Sequence, residues 1–234
     1  MALVDLQGRS ALVTGATSGI GRAIAQNLVN TGLHVYAVGR DARRLAEVAA
    51  LAPDRVIPLS ANLEDLSSIE DLAQRVGALD VLVHAAGVAE VGPFKTAPIA
   101  ALDRMHAVNV RAPFRLTQLL LPKLEASKGQ VVLINSGAGK TARPGWMQYA
   151  MSKFALTAFG DALREELKAS GVRVIAVFPG RTASPMQAEV HAAEGKSYDP
   201  SRFVQPEDLA ILIHDAIAMP RTAIVHEIVV RHPE

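Results

Sequence analysis

Tyr149 and Lys153 stand four residues apart in Gln148-Tyr149-Ala150-Met151-Ser152-Lys153, so on a helix both side chains leave the same face. A free phenol titrates near pH 10 and is a poor proton donor or acceptor at neutrality. An ammonium beside it stabilises the phenolate and is expected to draw its pKa toward the working range, which general acid/base chemistry on an alcohol oxygen requires. By itself the pair says little, because a tyrosine and a lysine at this spacing also arise on half-exposed helices. A third group, Ser136, ends the apolar run Val131-Val132-Leu133-Ile134-Asn135, thirteen residues ahead of Tyr149. The carboxyl end of a strand in an open α/β sheet is where ligands bind. There Ser136 can hydrogen-bond a substrate oxygen while Tyr149 exchanges its proton, although a serine followed by Gly137 and Gly139 equally suits a turn cap.

A second constellation lies near the amino end, in Thr14-Gly15-Ala16-Thr17-Ser18-Gly19-Ile20-Gly21. Gly15 can make a tight turn, Gly19 can let a pyrophosphate approach the backbone, and Gly21 permits close packing of helix on strand. Unpaired N–H groups at the start of the following helix would face the phosphates. At the end of the next strand, an enzyme using NAD is expected to place a carboxylate on the ribose 2′-hydroxyl. Gly39 and Arg40 occupy that corner instead. A guanidinium binds a 2′-phosphate through charge-assisted hydrogen bonds, Gly39 would leave it room, and Arg43 and Arg44 add to the field. The expected cofactor is therefore NADP(H). Asp41, the nearby acid, is better placed as the cap of the next helix.

These groups need a scaffold of strands that end together. Short apolar runs alternate with helix-period segments, the pattern of repeated βα units and a parallel sheet. Strands are expected at Ser10 to Thr14, His34 to Val38, Arg55 to Leu59, Val81 to His84, Gln130 to Asn135, Arg173 to Phe178 and Ala223 to Val230. Ile20, Ile24 and Leu28 mark the buried stripe of a helix that Gly32 closes. Further helices are expected at Arg43 to Leu51, Leu66 to Val76, Ala101 to Leu124, Gln148 to Ser170 and Pro206 to Met219. The expected fold is α/β: a doubly wound, parallel, seven-stranded Rossmann-like sheet with helices on both faces, as a single domain over 1–234. The stretch 181–205 shows no period and reads as a substrate lid.

Composition narrows the function classes. Lys plus Arg (24) balance Asp plus Glu (23), so no global field attracts nucleic acid or an anionic bilayer. Cysteine is absent, which removes disulfides and thiolate metal sites, and no histidine stands at a metal-ligand spacing. No metal is expected. Apolar runs stop well short of the ~18 residues of a membrane span, and the first residues lack the features of a secretory signal. A cytoplasmic location is the expectation.

The TGxxxGIG form of the glycine turn, together with Ser136, Tyr149 and Lys153, resembles the short-chain dehydrogenase/reductase family. The resemblance extends along most of the chain. It implies a fourth catalytic member, Asn109, whose backbone carbonyl holds a water linked to the lysine; Pro113, lacking an N–H, would keep that carbonyl available. Ala85, Ala86 and Gly87, after His84, occupy the place of the family's NNAG segment, and His84 reads as a structural histidine. Pro179, Gly180 and Thr182 match the segment beside the nicotinamide, while Asn62 and Leu63 stand where an aspartate commonly meets the adenine. Thr17, Ser18 and Ile20 complete the phosphate-binding turn, and Tyr149 and Lys153 would also contact the nicotinamide ribose.

By the same resemblance, Lys153 lowers the tyrosine pKa, and the helices Ala101 to Leu124 and Gln148 to Ser170 pair across a two-fold axis in a homo-oligomer, a tetramer or dimer. Burial within the monomer is the simpler account of their Phe114, Leu119, Leu120, Phe154 and Phe159. The expected activity is hydride transfer between nicotinamide and an alcohol/carbonyl pair on a small molecule. A catalytically silent NADP-binding sensor or scaffold of the same fold is the alternative. A sugar-nucleotide epimerase or dehydratase is disfavoured, because only about fifty residues follow Thr182. Met186, Val190, Tyr198 and Phe203 of the lid, with Val91, Phe94, Trp146 and Met147, are the candidate pocket wall. Ketones, oxoacyl thioesters, steroids and sugar alcohols remain open as substrates.

Overall fold

A computed structural model describes residues 3–233; Met1, Ala2 and Glu234, which the expected domain includes, lie outside them. The chain runs β1 (Ser10–Thr14), α1 (Gly19–Asn30), β2 (His34–Gly39), α2 (Ala42–Ala50), β3 (Val56–Ser60), α3 (Leu66–Gln74), β4 (Val81–His84), α4 (Ile99–His106), α5 (Ala112–Ser127), β5 (Gln130–Ile134), α6 (Met147–Glu166), β6 (Arg173–Pro179), α7 (Pro185–Ala193), α8 (Pro206–Ile217) and β7 (Glu227–Val230). The seven strands form one parallel sheet in the order β3-β2-β1-β4-β5-β6-β7. The direction of strand order reverses between β1 and β4, so the loops after these strands open onto a shared crevice at their carboxyl ends.

Side-chain alternation along the strands divides the core between the two faces. Ala11 and Val13 of β1 pack with Ile24 and Leu28 of α1 and with Leu209 and Ile213 of α8. Leu12 packs on the other face with Ile69 and Leu72 of α3, Leu116 and Leu120 of α5 and Leu156 of α6. The central strands β4, β5 and β6 are buried throughout, as a sheet covered on both faces demands, whereas the edge strands are partly exposed. Pro58 lies in edge strand β3, where a missing N–H breaks no ladder that a central strand would need.

Three expectations need correction. The helix expected from Ala101 to Leu124 is interrupted by a π-turn over Ala107–Arg111, where the Ala112 N–H reaches back five residues to the Ala107 carbonyl. Pro113 follows at once and cannot donate to Asn109 four residues back, so the ladder widens just ahead of it. The stretch 181–205 contains α7. Ser184 caps that helix by accepting from Gln187 N, and Pro185 starts it, but Gln187 and His191 fill much of its buried face and so erase the apolar stripe. Finally, Phe114 is 53% exposed and Phe154 43%, so burial within the monomer does not account for them. Leu120 is buried, Leu119 and Phe159 are half-buried, and the Phe114 and Phe159 rings meet at 5.7 Å.

Candidate active site

Gly15 turns the chain after β1 with φ +70°, and a Cβ there would come within 2.8 Å of the Ala86 backbone. The close approach is locked by Thr14, whose hydroxyl accepts from Ala85 N and Ala86 N, each at 3.1 Å. Thus the two loops leaving β1 and β4 form one wall. Gly15, Thr17, Ser18, Gly19, Ile20 and Gly21 line a cleft there together with Ala85, Ala86, Gly87, Asn62, Leu63 and Arg40. Ser18 precedes α1 without bonding its first amides through its side chain, so the first-turn N–H groups are left to another acceptor.

Arg40 stands at the far end of that cleft, its side chain 61% exposed, with Nη1 3.5 Å from Glu64 Oε1. Glu64 is also held by Arg104 at 3.1 Å. The acid that opposes Arg40 is therefore Glu64, which sequence reading passed over because it lies on a different loop. Asp41 caps α2 as expected, accepting from Arg43 N and Arg44 N. Gly39 does not hold space for a phosphate: a Cβ there would lie 2.6 Å from the Thr17 methyl, which fills that volume.

Next to this cleft, and sharing Ile20, Ser184 and Met186 with it, is a cavity of about 400 Å³ lined by Ser136, Tyr149, Pro179, Gly180 and Thr182. Asn135 sets the serine: its Oδ1 accepts from Ser136 N at 2.9 Å, and its Nδ2 donates to Thr157 Oγ1 of α6. Ser136 Oγ accepts from Ala138 N at 3.1 Å, so the residue caps a turn as well as lining the cavity. Tyr149 packs on Ala101 and Met105 of α4, with the Trp146 ring edge-on at 5.8 Å. Lys153 lies one turn further along α6, buried, its Nζ donating to the Ile134 carbonyl at 3.0 Å and standing 5.7 Å from the Tyr149 ring centroid.

Burial raises the Tyr149 pKa above 10, and the Ser136 side chain beside it pulls the other way. The expected lowering by Lys153 is not what the protein alone provides, since desolvation of the phenolate dominates. Burial also lowers Lys153, to about 8. Asn109 sits in the π-turn and lines neither cavity. Its side chain braces the site: Oδ1 accepts from Val88 N, and Nδ2 donates to the Val88 carbonyl and to Ser152 Oγ, which itself donates to the Tyr149 carbonyl. His84 is buried against Thr117 Oγ1 at 2.8 Å, with its pKa lowered by burial to about 3. Thr14, Asn135 and Ser152 were invisible as single polar residues without a spacing pattern.

Of the expected pocket wall, Met186, Val190 and Trp146 line the cavity. Tyr198 and Phe203 instead stack on each other at 5.7 Å and flank His191, while Val91, Phe94 and Met147 line a neighbouring groove. Arg181 ties the segment down: Nη2 bonds both oxygens of Glu194, at 2.6 and 2.8 Å, and its guanidinium carbon lies 5.6 Å from the Trp146 ring centroid.

The family model for short chain dehydrogenases matches residues 9–195. An uncharacterised oxidoreductase of Staphylococcus saprophyticus is 31% identical over 98% of this chain and 99% of its own length. An NADPH-dependent 3-dehydrocapnine reductase of Ornithobacterium rhinotracheale is 38% identical over 78% of this chain and 67% of its own. Among solved structures, a metagenomic short-chain oxidoreductase in complex with NADP superposes with a TM-score of 0.84 at 30% identity, covering 98% of this chain and 99% of that one. A family match over most of the length, and relatives that align almost end to end, place the chain in the short-chain dehydrogenase family.

Proposed function

We propose that the chain is an NADP(H)-dependent oxidoreductase that interconverts a carbonyl and an alcohol on a small molecule, with Tyr149 as general acid/base. The observation that carries this reading is the meeting of Ser136 and Tyr149 on one cavity wall, directly beside a cleft built to take a dinucleotide. The fit to NADP(H) rests on the Gly15 turn, which a Cβ would block, on the α1 amides that Ser18 does not cap, and on Arg40 at the 2′ corner. Pro179, Gly180 and Thr182 would border the nicotinamide, Asn62 and Leu63 the adenine, and Lys153 the ribose. The cofactor supplies the hydride or accepts it.

The protein's own part is positioning and proton transfer. Ser136 donates a hydrogen bond to the substrate oxygen and fixes the carbonyl. Tyr149, kept protonated by burial, gives its proton to the alkoxide as charge develops there. Lys153, with a pKa of about 8, is mostly charged at pH 7 and holds positive charge below the ring. Asn109 keeps α6 and the loop after β4 in register, and its backbone carbonyl is the candidate start of a proton path to solvent. The segment 181–205 acts as the lid. A panel of ketones, aldehydes and alcohols, followed by nicotinamide absorbance with both cofactors, tests the proposal. Tyr149→Phe keeps the ring but removes the oxygen, and turnover should fall at least ~10²–10⁴-fold with cofactor binding retained. Near-normal turnover in that variant would overturn the mechanism.

A further inference from the structure

The cavity that holds Ser136 and Tyr149 is lined by Arg143, Arg181 and Arg231, and by no aspartate or glutamate. Arg181 is paired with Glu194, which also holds Lys196. The charge of Arg181 is thereby answered. Arg143 and Arg231 have no carboxylate within 4.0 Å among the described residues.

Arg231 is held in place rather than left to wander. It follows β7, whose Val230 pairs with Pro179 of β6, and its Nη1 donates to the carbonyls of Phe178 at 2.7 Å and Val230 at 2.9 Å. Two small residues make way for it. A Cβ on Gly180 would meet its Cδ at 3.3 Å, and a Cβ on Gly137 would meet its Nη2 at 3.2 Å. Gly137 directly follows Ser136, so the guanidinium is fixed against the turn that carries the serine. Nη2 has no hydrogen-bond acceptor among the described residues. Arg143 lies on the loop between β5 and α6, between Ser136 and Tyr149, and lines the same space.

We infer that this cavity takes a carbonyl or alcohol substrate bearing an oxyanionic group, a carboxylate or a phosphate, held by Arg231 and Arg143. A planar guanidinium with a backbone-anchored edge offers its other edge as a preorganised donor for such a group. A volume of about 400 Å³ suits a small molecule. The inference rests on the hydride-transfer reading for the reacting end of the substrate, but the anion site can be tested without turnover.

Under saturating NADPH, short 2-oxo and 3-oxo carboxylates are compared with their methyl esters, and dihydroxyacetone phosphate with dihydroxyacetone. The anionic member of at least one pair should have the higher kcat/KM, and the favoured pair identifies the anion. Arg231→Gln and Arg143→Gln should each cut the anionic-to-neutral ratio at least tenfold, mainly through KM, and Arg231→Lys should restore part of it. Equal kcat/KM within both pairs, or a ratio unmoved by the substitutions, overturns the inference. Trp146 is the only tryptophan and lines the cavity, so its fluorescence reports occupancy directly. Acetate and inorganic phosphate are titrated at constant ionic strength. A saturable change that is lost in Arg231→Gln supports the anion site, and no saturable change with either anion overturns it. If no carbonyl compound is turned over by the wild type, the hydride-transfer reading fails, and the fluorescence result alone decides whether the anion site stands.

Discussion

Arg40 has one partner already, and that fixes how large its contribution to cofactor choice can be. Its ion pair with Glu64 is long, at 3.5 Å, and both side chains are substantially exposed, so solvent screens the attraction. Glu64 has a better partner in Arg104 at 3.1 Å. A 2′-phosphate would therefore win Arg40 at little cost. A charge-assisted bond to it is worth about 1.5–3 kcal/mol, and exposure argues for the lower end. Arg40→Ala should weaken NADP(H) binding about tenfold and barely alter NAD(H), read by cofactor fluorescence titration. Equal weakening of both cofactors would remove Arg40 from the 2′ site.

At the scale of elements, the segment 181–205 is the part whose structure the sequence concealed. Strands buried on both faces are continuous apolar runs, and α1 carries a clean apolar stripe, so their places could be read from residue type alone. In α7 the buried face holds Gln187 and His191: Arg181 Nη1 donates to His191 Nε2 at 3.2 Å, so Nδ1 carries the proton and donates to the Gln187 carbonyl at 2.9 Å, and no hydropathy pattern survives. The π-turn was hidden for a related reason: Pro113 announces a defect but not how the ladder absorbs it. Of the candidate site, the glycine turn and the Ser136, Tyr149 and Lys153 set could be picked out in the sequence because together they carry the family resemblance. Glu64 and Arg181 were not, since their partners are distant in the chain or set by the fold. Arg181 and Glu194 clamp the segment, and Ser184, Pro185 and Met186 at the start of α7 border the cofactor cleft. Glu194→Gln should thus speed amide exchange across 185–193 several-fold in the free protein, and NADP(H) should restore much of the protection. Exchange that is insensitive to both the substitution and the cofactor would remove the case for a gated lid.

Stability and assembly belong to the whole molecule, and both turn on groups the chemistry does not use. Burial holds His84 neutral when folded, with a pKa of about 3, whereas the unfolded chain takes up its proton near 6.5. Between these values the unfolded state binds the extra proton, so stability is complete above pH 6.5 and falls by roughly 1.4 kcal/mol per pH unit below it from this group alone. Urea unfolding at pH 7, 6 and 5 should show His84→Asn losing less stability than wild type over that interval, and parallel curves would refute the assignment. Assembly concerns the outer surfaces of α5 and α6, where Phe114 (53% exposed), Met151 (54%) and Phe154 (43%) lie in water. Single exposed apolar residues need no explanation, but three bulky ones on two helices whose inner faces join the same core cluster are more than a surface left to water usually shows. The expectation carried by the family resemblance is that a second copy, related by a two-fold axis, would cover them. In such a dimer each phenylalanine would occur twice, one copy per protomer, so a substitution would act on both halves of the interface at once. Light scattering at micromolar concentration should give a mass of two or four times 24.8 kDa. Phe114→Glu with Phe154→Glu should shift it toward the monomer while far-UV circular dichroism is retained, because neither ring is buried in the monomer core. A monomeric wild type would leave that face without a partner and refute the assembly.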